Sequence, residues 1–222
     1  IRSPVEANGE VLEGVINYGL PRDGHRAQDP SRYKKDAEIL ENALLQDPNN
    51  SRYVFFLAQS YGAAGDLHSS LKYYEKRAEM GGFSPDIFWS LFTIGCLRED
   101  LHMEDELILD AYYKAFIFDP TRAEPLHHLA GFYQKKGLPL FAYILAKTAL
   151  ELPPHSSLAY VLREVYDYSL LLKFACAAHS IKKFEEAKTA YLQLLAIPNL
   201  PPYAKTVVEH NLKVIAQNTL QF

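Results

Sequence analysis

The sequence predicts an all-α fold, a right-handed solenoid of antiparallel helix pairs, with a short β-hairpin at its N-terminus. Three observations carry that expectation. Tyr (15) and Phe (12) are abundant while Trp occurs once, and the aromatics alternate with alanines at helical spacing, as in helices that approach closely. The stretch "RAEPLHHLAGFYQKKGLPLFAYILAKTALELPP" reads as two helices broken at Gly137. A unit of about 34 residues of this kind recurs along the chain.

Taken in order, residues 1–30 come first. "RSPVEANGEVLEGVINYG" has β-favouring runs around Asn8-Gly9, a hairpin turn signal. Two strands alone are marginally stable, so they are expected to rest on the first helix or to be the edge of another domain. The connector "PRDGHRAQDPSRY" then leads into a helix start, with Asp29 or Ser31 as the cap and Pro30 tolerated in the first turn. Residues 31–222 form the helical domain. "SRYKKDAEILENALLQDPNN" is a lone helix ending at Pro48, equivalent to the second helix of an incomplete unit.

The full units follow. In the reference stretch Leu126, Leu129, Ala130 and Tyr133 share one face, and Ala142, Ala146 and Ala149 mark the face of the second helix. "SRYVFFLAQSYGAAGDLHSSLKYYEKRAEMGG" places Leu57, Ala58, Tyr61, Gly65 and Tyr74 equivalently, but has Ser70 and Arg77 where small residues are usual. "DIFWSLFTIGCLREDLHMEDELILDAYYKAFIFDP" fits with about three extra residues in its central turn, around Glu99 to Glu104. "LLKFACAAHSIKKFEEAKTAYLQLLAIP" is the last, preceded by an insertion at residues 155–168 that reads as a short helix. "PPYAKTVVEHNLKVIAQ" closes the array, with Val208, Leu212 and Ile215 inward, since an end unit otherwise leaves an apolar face in water. The spacing and residue classes are those of a tetratricopeptide repeat, four in tandem.

Composition narrows the function. A formal charge of −4 gives no general attraction to nucleic acid or anionic lipid. Cys96 and Cys176 each lie in an apolar run, which fits a reducing compartment, and no Cys/His spacing suggests zinc. No run is long enough to span a membrane and no signal peptide is visible, so a cytoplasmic protein is expected. The chain starts at Ile1, which predicts a processed product or a piece of something longer.

Each chemically tempting group has a plainer reading. His127 and His128 point about 100° apart on a helix and cannot chelate one metal as an i, i+4 pair could. The carboxylates of "EDLHMEDE" follow no calcium-loop spacing and read as a solvated turn before an acidic first helical turn. Cys176 and His179 lie one turn apart, but small neighbours mean close packing and no third group orients them. Arg22, His25 and Arg26 in the connector could pair with phosphate, though a surface joint explains them better. No catalytic residue, metal or cofactor is expected of this chain.

The order of hairpin, "DGHRAQDPSRYKKDAEILENAL", "RYVFFLAQSY" with "YEKRAEMGG", and "DPTRAEPLHHLA" resembles the C-terminal region of bacterial family-2 glycosyltransferases that carry tetratricopeptide repeats. The resemblance implies a nucleotide-sugar-binding catalytic domain with an acidic metal motif, lying ahead of Ile1. The chain itself has no Asp-x-Asp and no parallel-sheet pattern.

The expected function is that of a non-catalytic scaffold. A protein or peptide, or else a glycan acceptor, is held on the concave side lined by the first helix of each repeat. Counting outward from Leu57, Leu129 and Phe174 names Arg52, Gln59, Glu124, His127, Gln134, Lys135 and His179 as partner-binding residues. The alternative is the acceptor-positioning part of a glycosyltransferase.

Overall fold

The structure, a computed structural model, describes residues 29, 31–153 and 160–219. The chain divides into two units, Ile1–Arg32 and Tyr33–Phe222. The expected hairpin and Arg22, His25 and Arg26 lie outside the described residues. Asp29 is described, and its Oδ1 accepts from Ser31 N at 2.8 Å and from Ser31 Oγ at 2.7 Å, just ahead of the first helix.

Among the described residues there are ten α-helices and no strand. They are α1 (Arg32–Gln46), α2 (Ser51–Ala63), α3 (Leu67–Glu79), α4 (Ser84–Asp100), α5 (Asp105–Phe118), α6 (Glu124–Lys135), α7 (Pro139–Leu150), α8 (Leu170–Ser180), α9 (Phe184–Leu195) and α10 (Pro202–Thr219). The pairs α2/α3, α4/α5, α6/α7 and α8/α9 pack against themselves and each packs on the next, with α10 against α9 closing the row. Ala204, Val208 and Ile215 of α10 are buried, so the cap covers the end as its periodicity demands.

The turn inside each pair uses one left-handed residue: Gly65, His102, Gly137 and Lys182, with φ of 84°, 53°, 72° and 63°. Glycine suits two of these turns because it carries no Cβ to clash. The extra length of the second unit is placed differently from expectation. α4 runs for 17 residues against 13 in α2 and 12 in α6, so most of the surplus extends the helix rather than the turn.

Where larger residues replace the usual small ones, they have partners. Ser70 Oγ donates to Ala58 O at 2.8 Å, joining α3 to α2. Arg77 is fully buried, donates to Gly81 O at 2.9 Å and pairs with Asp86 at 3.6 Å.

Two helices cross closely at Gly95. A Cβ there would meet Tyr112 Cδ1 and Cε1 at 2.6 Å. Tyr112 is fully buried and its hydroxyl is held by Glu99, so the ring cannot swing aside. Gly95→Ala is therefore expected to overpack this crossing and cost roughly 1–3 kcal/mol. Urea unfolding of both chains checks it, and an unchanged midpoint would refute the tight fit.

The insertion before α8 is not an independent helix in its described part. Tyr160–Leu162 are irregular, and Val165–Ser169 form a π-helical turn that runs directly into α8. Such turns often mark functional places in helical proteins.

Candidate functional site: the face of the first helices

A cavity of about 240 Å³ opens between α4, α5, α6 and α8. Its walls include Glu99, Tyr112, His128, Gly131, Lys135 and Lys173. The first helices of three successive pairs thus meet here, and the side chains are mostly polar.

The local geometry is tightly specified. Tyr112 Oη donates to Glu99 Oε2 at 3.0 Å and lies 3.1 Å from His128 Nδ1. With its proton given to Glu99, the hydroxyl accepts from His128, which places that ring's hydrogen on Nδ1. Glu99 Oε1 accepts from Lys135 Nζ at 2.7 Å. Burial opposes ionisation of Glu99, but the bonds from Lys135 and Tyr112 outweigh it and hold the carboxyl below its usual value.

Lys173 enters from α8, deep in the wall. Gly131 leaves the space its ammonium needs, since a Cβ at that position would collide with Lys173 Nζ. Burial, reinforced by Lys135, lowers its pKa. Among the described residues Lys173 makes no hydrogen bond or ion pair. It faces the cavity, where Glu99 attracts it electrostatically without a hydrogen bond or ion pair. His128 is pushed down to about 4, by burial first and by Lys173 second, so the imidazole is neutral. Burial also pushes the Cys96 thiol up to about 12, which removes any nucleophilic thiolate near neutral pH.

The residues named from sequence fall into three groups. Lys135 lines the cavity, and Gln134 is exposed beside it on α6. Arg52 and Gln59 lie on α2, the former exposed with its guanidinium 4.9 Å from the Phe56 ring centroid. His179 is half-buried near the end of α8, edge-on to Phe184 and Tyr191.

Glu124 and His127 depart from the expectation. Glu124 is fully buried, and its carboxylate takes bonds from Arg122 at 2.6 and 3.0 Å and from Tyr166 Oη at 2.5 Å. His127 is buried, with Nε2 at 2.8 Å from Ser169 Oγ. The segment leading into α8 closes over both, and a count along one helix cannot see that cover. Lys173, Tyr112 and Glu99 are not among the partner-binding residues that the sequence names. The available signal was one lysine inside the apolar run "SLLLKFACAAH", together with a glycine, Gly131, inside a helix of the preceding repeat.

Among the described residues no group of three or more His, Cys, Asp or Glu could hold a metal ion. No helix there is long and apolar enough to cross a membrane.

This architecture is similar to several solved structures. One is the crystal structure of MamA, at 15% identity and TM-score 0.55, covering 73% of this chain and 91% of that one. Another is a thermophilic TPR protein from Thermus thermophilus, at 17% identity and TM-score 0.55, covering 82% and 91%. A third is the APC/C hetero-tetramer Cut9–Hcn1, at 15% identity and TM-score 0.59, covering 82% of this chain and 33% of that one. The fold is therefore of the tetratricopeptide-repeat type. No family model and no curated protein matches the chain.

Proposed function

We propose that the chain is a protein-interaction scaffold whose first helices form the concave wall of a right-handed solenoid and hold an extended peptide. The observation that supports this most is Lys173, a cavity-facing ammonium with no hydrogen bond or ion pair among the described residues. A carboxylate side chain from a partner would neutralise it where water is scarce, and a charge-assisted bond is strong in such surroundings. Lys135 stands at the rim, while Gln134, Arg52, Gln59 and His179 are proposed as further contacts. Glu124 and His127 serve the fold instead. The free thiols of Cys96 and Cys176 suit a cytoplasmic setting, which belongs to the same proposal.

The experiment is a positional-scanning library of extended peptides against the whole chain. One position is expected to favour Asp or Glu over Asn or Gln by about tenfold, roughly the value of one good charge-assisted contact. Lys173→Met should erase that preference, and Lys188→Ala on the exposed side of α9 should leave it. No acidic preference, or one that survives Lys173→Met, would defeat the proposal.

A second reading, a glycosyltransferase tail that positions a glycan acceptor, is supported by the sequence resemblance alone. It requires an Asp-x-Asp in an α/β domain ahead of Ile1, and the sequence of the parent protein decides it.

A further inference from the structure

The other half of the first-helix face already carries a bound-looking residue, and it belongs to the same chain. Tyr160 lies with its ring stacked on Trp89, centroids 5.6 Å apart and planes at 29°. The Phe55 ring is tilted at 59° to it, centroids 5.3 Å apart. The carbonyl of Tyr160 accepts from Arg122 Nη2 at 2.6 Å, and the Asp86 carboxylate lies beside its hydroxyl. Two residues on, Leu162 N donates to Glu124 Oε1 at 3.4 Å. Phe55, Trp89 and Arg122–Glu124 come from α2, α4 and the start of α6, so the cradle is built by three successive repeats.

These are the contacts of peptide recognition: an aromatic ring stacked on one ring with a second tilted against it, one main-chain carbonyl and one main-chain N–H, each met by a fixed side chain. Tyr160 is only half-buried, and its backbone is left-handed, φ 54°, a conformation unfavourable for a non-glycine residue. The segment is anchored further on, where Val165 is buried in the core and Tyr166 Oη donates to Glu124. The half-buried Tyr160 end is thus held by ring contacts and polar bonds, while its root is fixed in the fold.

We propose that the Phe55–Trp89–Arg122 cradle is a docking site for a tyrosine-bearing peptide segment, and that Tyr160 occupies it in cis until a partner displaces it. This rests on the reading of the first-helix face as a peptide-binding surface. It adds that the N-terminal half of that face is self-occupied, leaving the Lys173 cavity as the open half. A partner gains the cradle only by outcompeting a strained internal residue. The two halves then distinguish a peptide with an acidic residue alone from one that also carries an aromatic.

Trp89 is the sole tryptophan of the sequence, so its fluorescence reports the cradle directly. The probe is a labelled peptide of residues 160–166, YVLREVY, added to the full chain. Tyr160→Gly removes the ring and relieves the left-handed strain. It should shift Trp89 emission to the red, and the peptide should reverse the shift. The peptide should bind this variant at least tenfold more tightly than the unaltered chain, and a peptide with Ala for its first Tyr should not bind. Tyr160→Asn, also tolerant of this backbone, replaces the glycine variant should circular dichroism show lost helix.

Unchanged Trp89 emission, equal affinity for both chains, or equal binding of the Ala peptide would overturn the proposal. Emission of the unaltered chain that depends on protein concentration, with a dimer in sedimentation, would assign Tyr160 to a second copy and overturn occupation in cis. Failure here with an intact acidic preference at Lys173 would sink self-occupation alone.

Discussion

Glu124→Ala is expected to destabilise the chain by about 3–5 kcal/mol, the typical penalty for breaking a buried ion pair by removing one member. Arg122 is 1% exposed and Glu124 0% exposed. The guanidinium makes a two-pronged contact, Nε to Oε2 at 3.0 Å and Nη2 to Oε1 at 2.6 Å, and lies 4.1 Å from the Phe88 ring centroid. Removing the carboxylate takes the two-pronged partner from this buried cation and deprives Tyr166 of its acceptor. It also removes a negative charge from the first turn of α6, where the helix dipole favours one. Glu124→Gln retains shape and part of the hydrogen bonding, so it should cost less. Replacing both members by apolar residues of similar volume should cost least, because the desolvation penalty disappears with the charges. Urea unfolding of the three variants gives the order. A loss below about 1 kcal/mol for Glu124→Ala, the range of an exposed pair, would show that water reaches the site.

This pair shows what a sequence reading can and cannot reach. The helical units were legible because Leu57, Leu129 and Ala130 repeat at helical spacing, and because Gly65 and Gly137 stand at turns that need a left-handed residue. His102 and Lys182 adopt the same conformation without any signature in residue type. Counting polar residues outward on the first helices names both Lys135, which lines the cavity, and Glu124, which the fold buries. Its partners, Arg122 and Tyr166, sit just before α6 and in the approach to α8, and only the folded chain closes that triangle. Lys173 escaped for the converse reason. It lies in an apolar run that reads as core, and its exit to the cavity depends on Gly131 of a different helix. Long-range contacts that break a face's ordinary rule leave little trace in local pattern.

Acid should weaken the fold well before its carboxylates are protonated, through the two adjacent histidines of α6. Burial, with Lys173 next, pushes His127 down to about 2 and His128 to about 4. An unfolded histidine titrates near 6.5. Below that pH the unfolded chain gains protons that the folded chain refuses, so stability falls as pH falls. The contribution is complete above about 6.5 and is lost downward, each histidine giving up to about 1.4 kcal/mol per pH unit. Both act between about 6.5 and 4, and below that His127 acts alone. The surroundings offer little relief. Lys173 and Lys135 repel an imidazolium, His127 Nδ1 is buried without a hydrogen-bond partner, and Glu99 and Glu124 are committed to cationic partners. His179 shifts in the same direction through burial and His210. The urea midpoint is therefore expected to be level from pH 8 to 7 and to decline steeply between 6.5 and 5, with no loss of ion pairing required. His127→Gln combined with His128→Asn, even if less stable at pH 7, should flatten most of that slope. A midpoint unchanged down to pH 5 would mean that the folded chain admits the protons, and that the α6 histidines are not sealed from water.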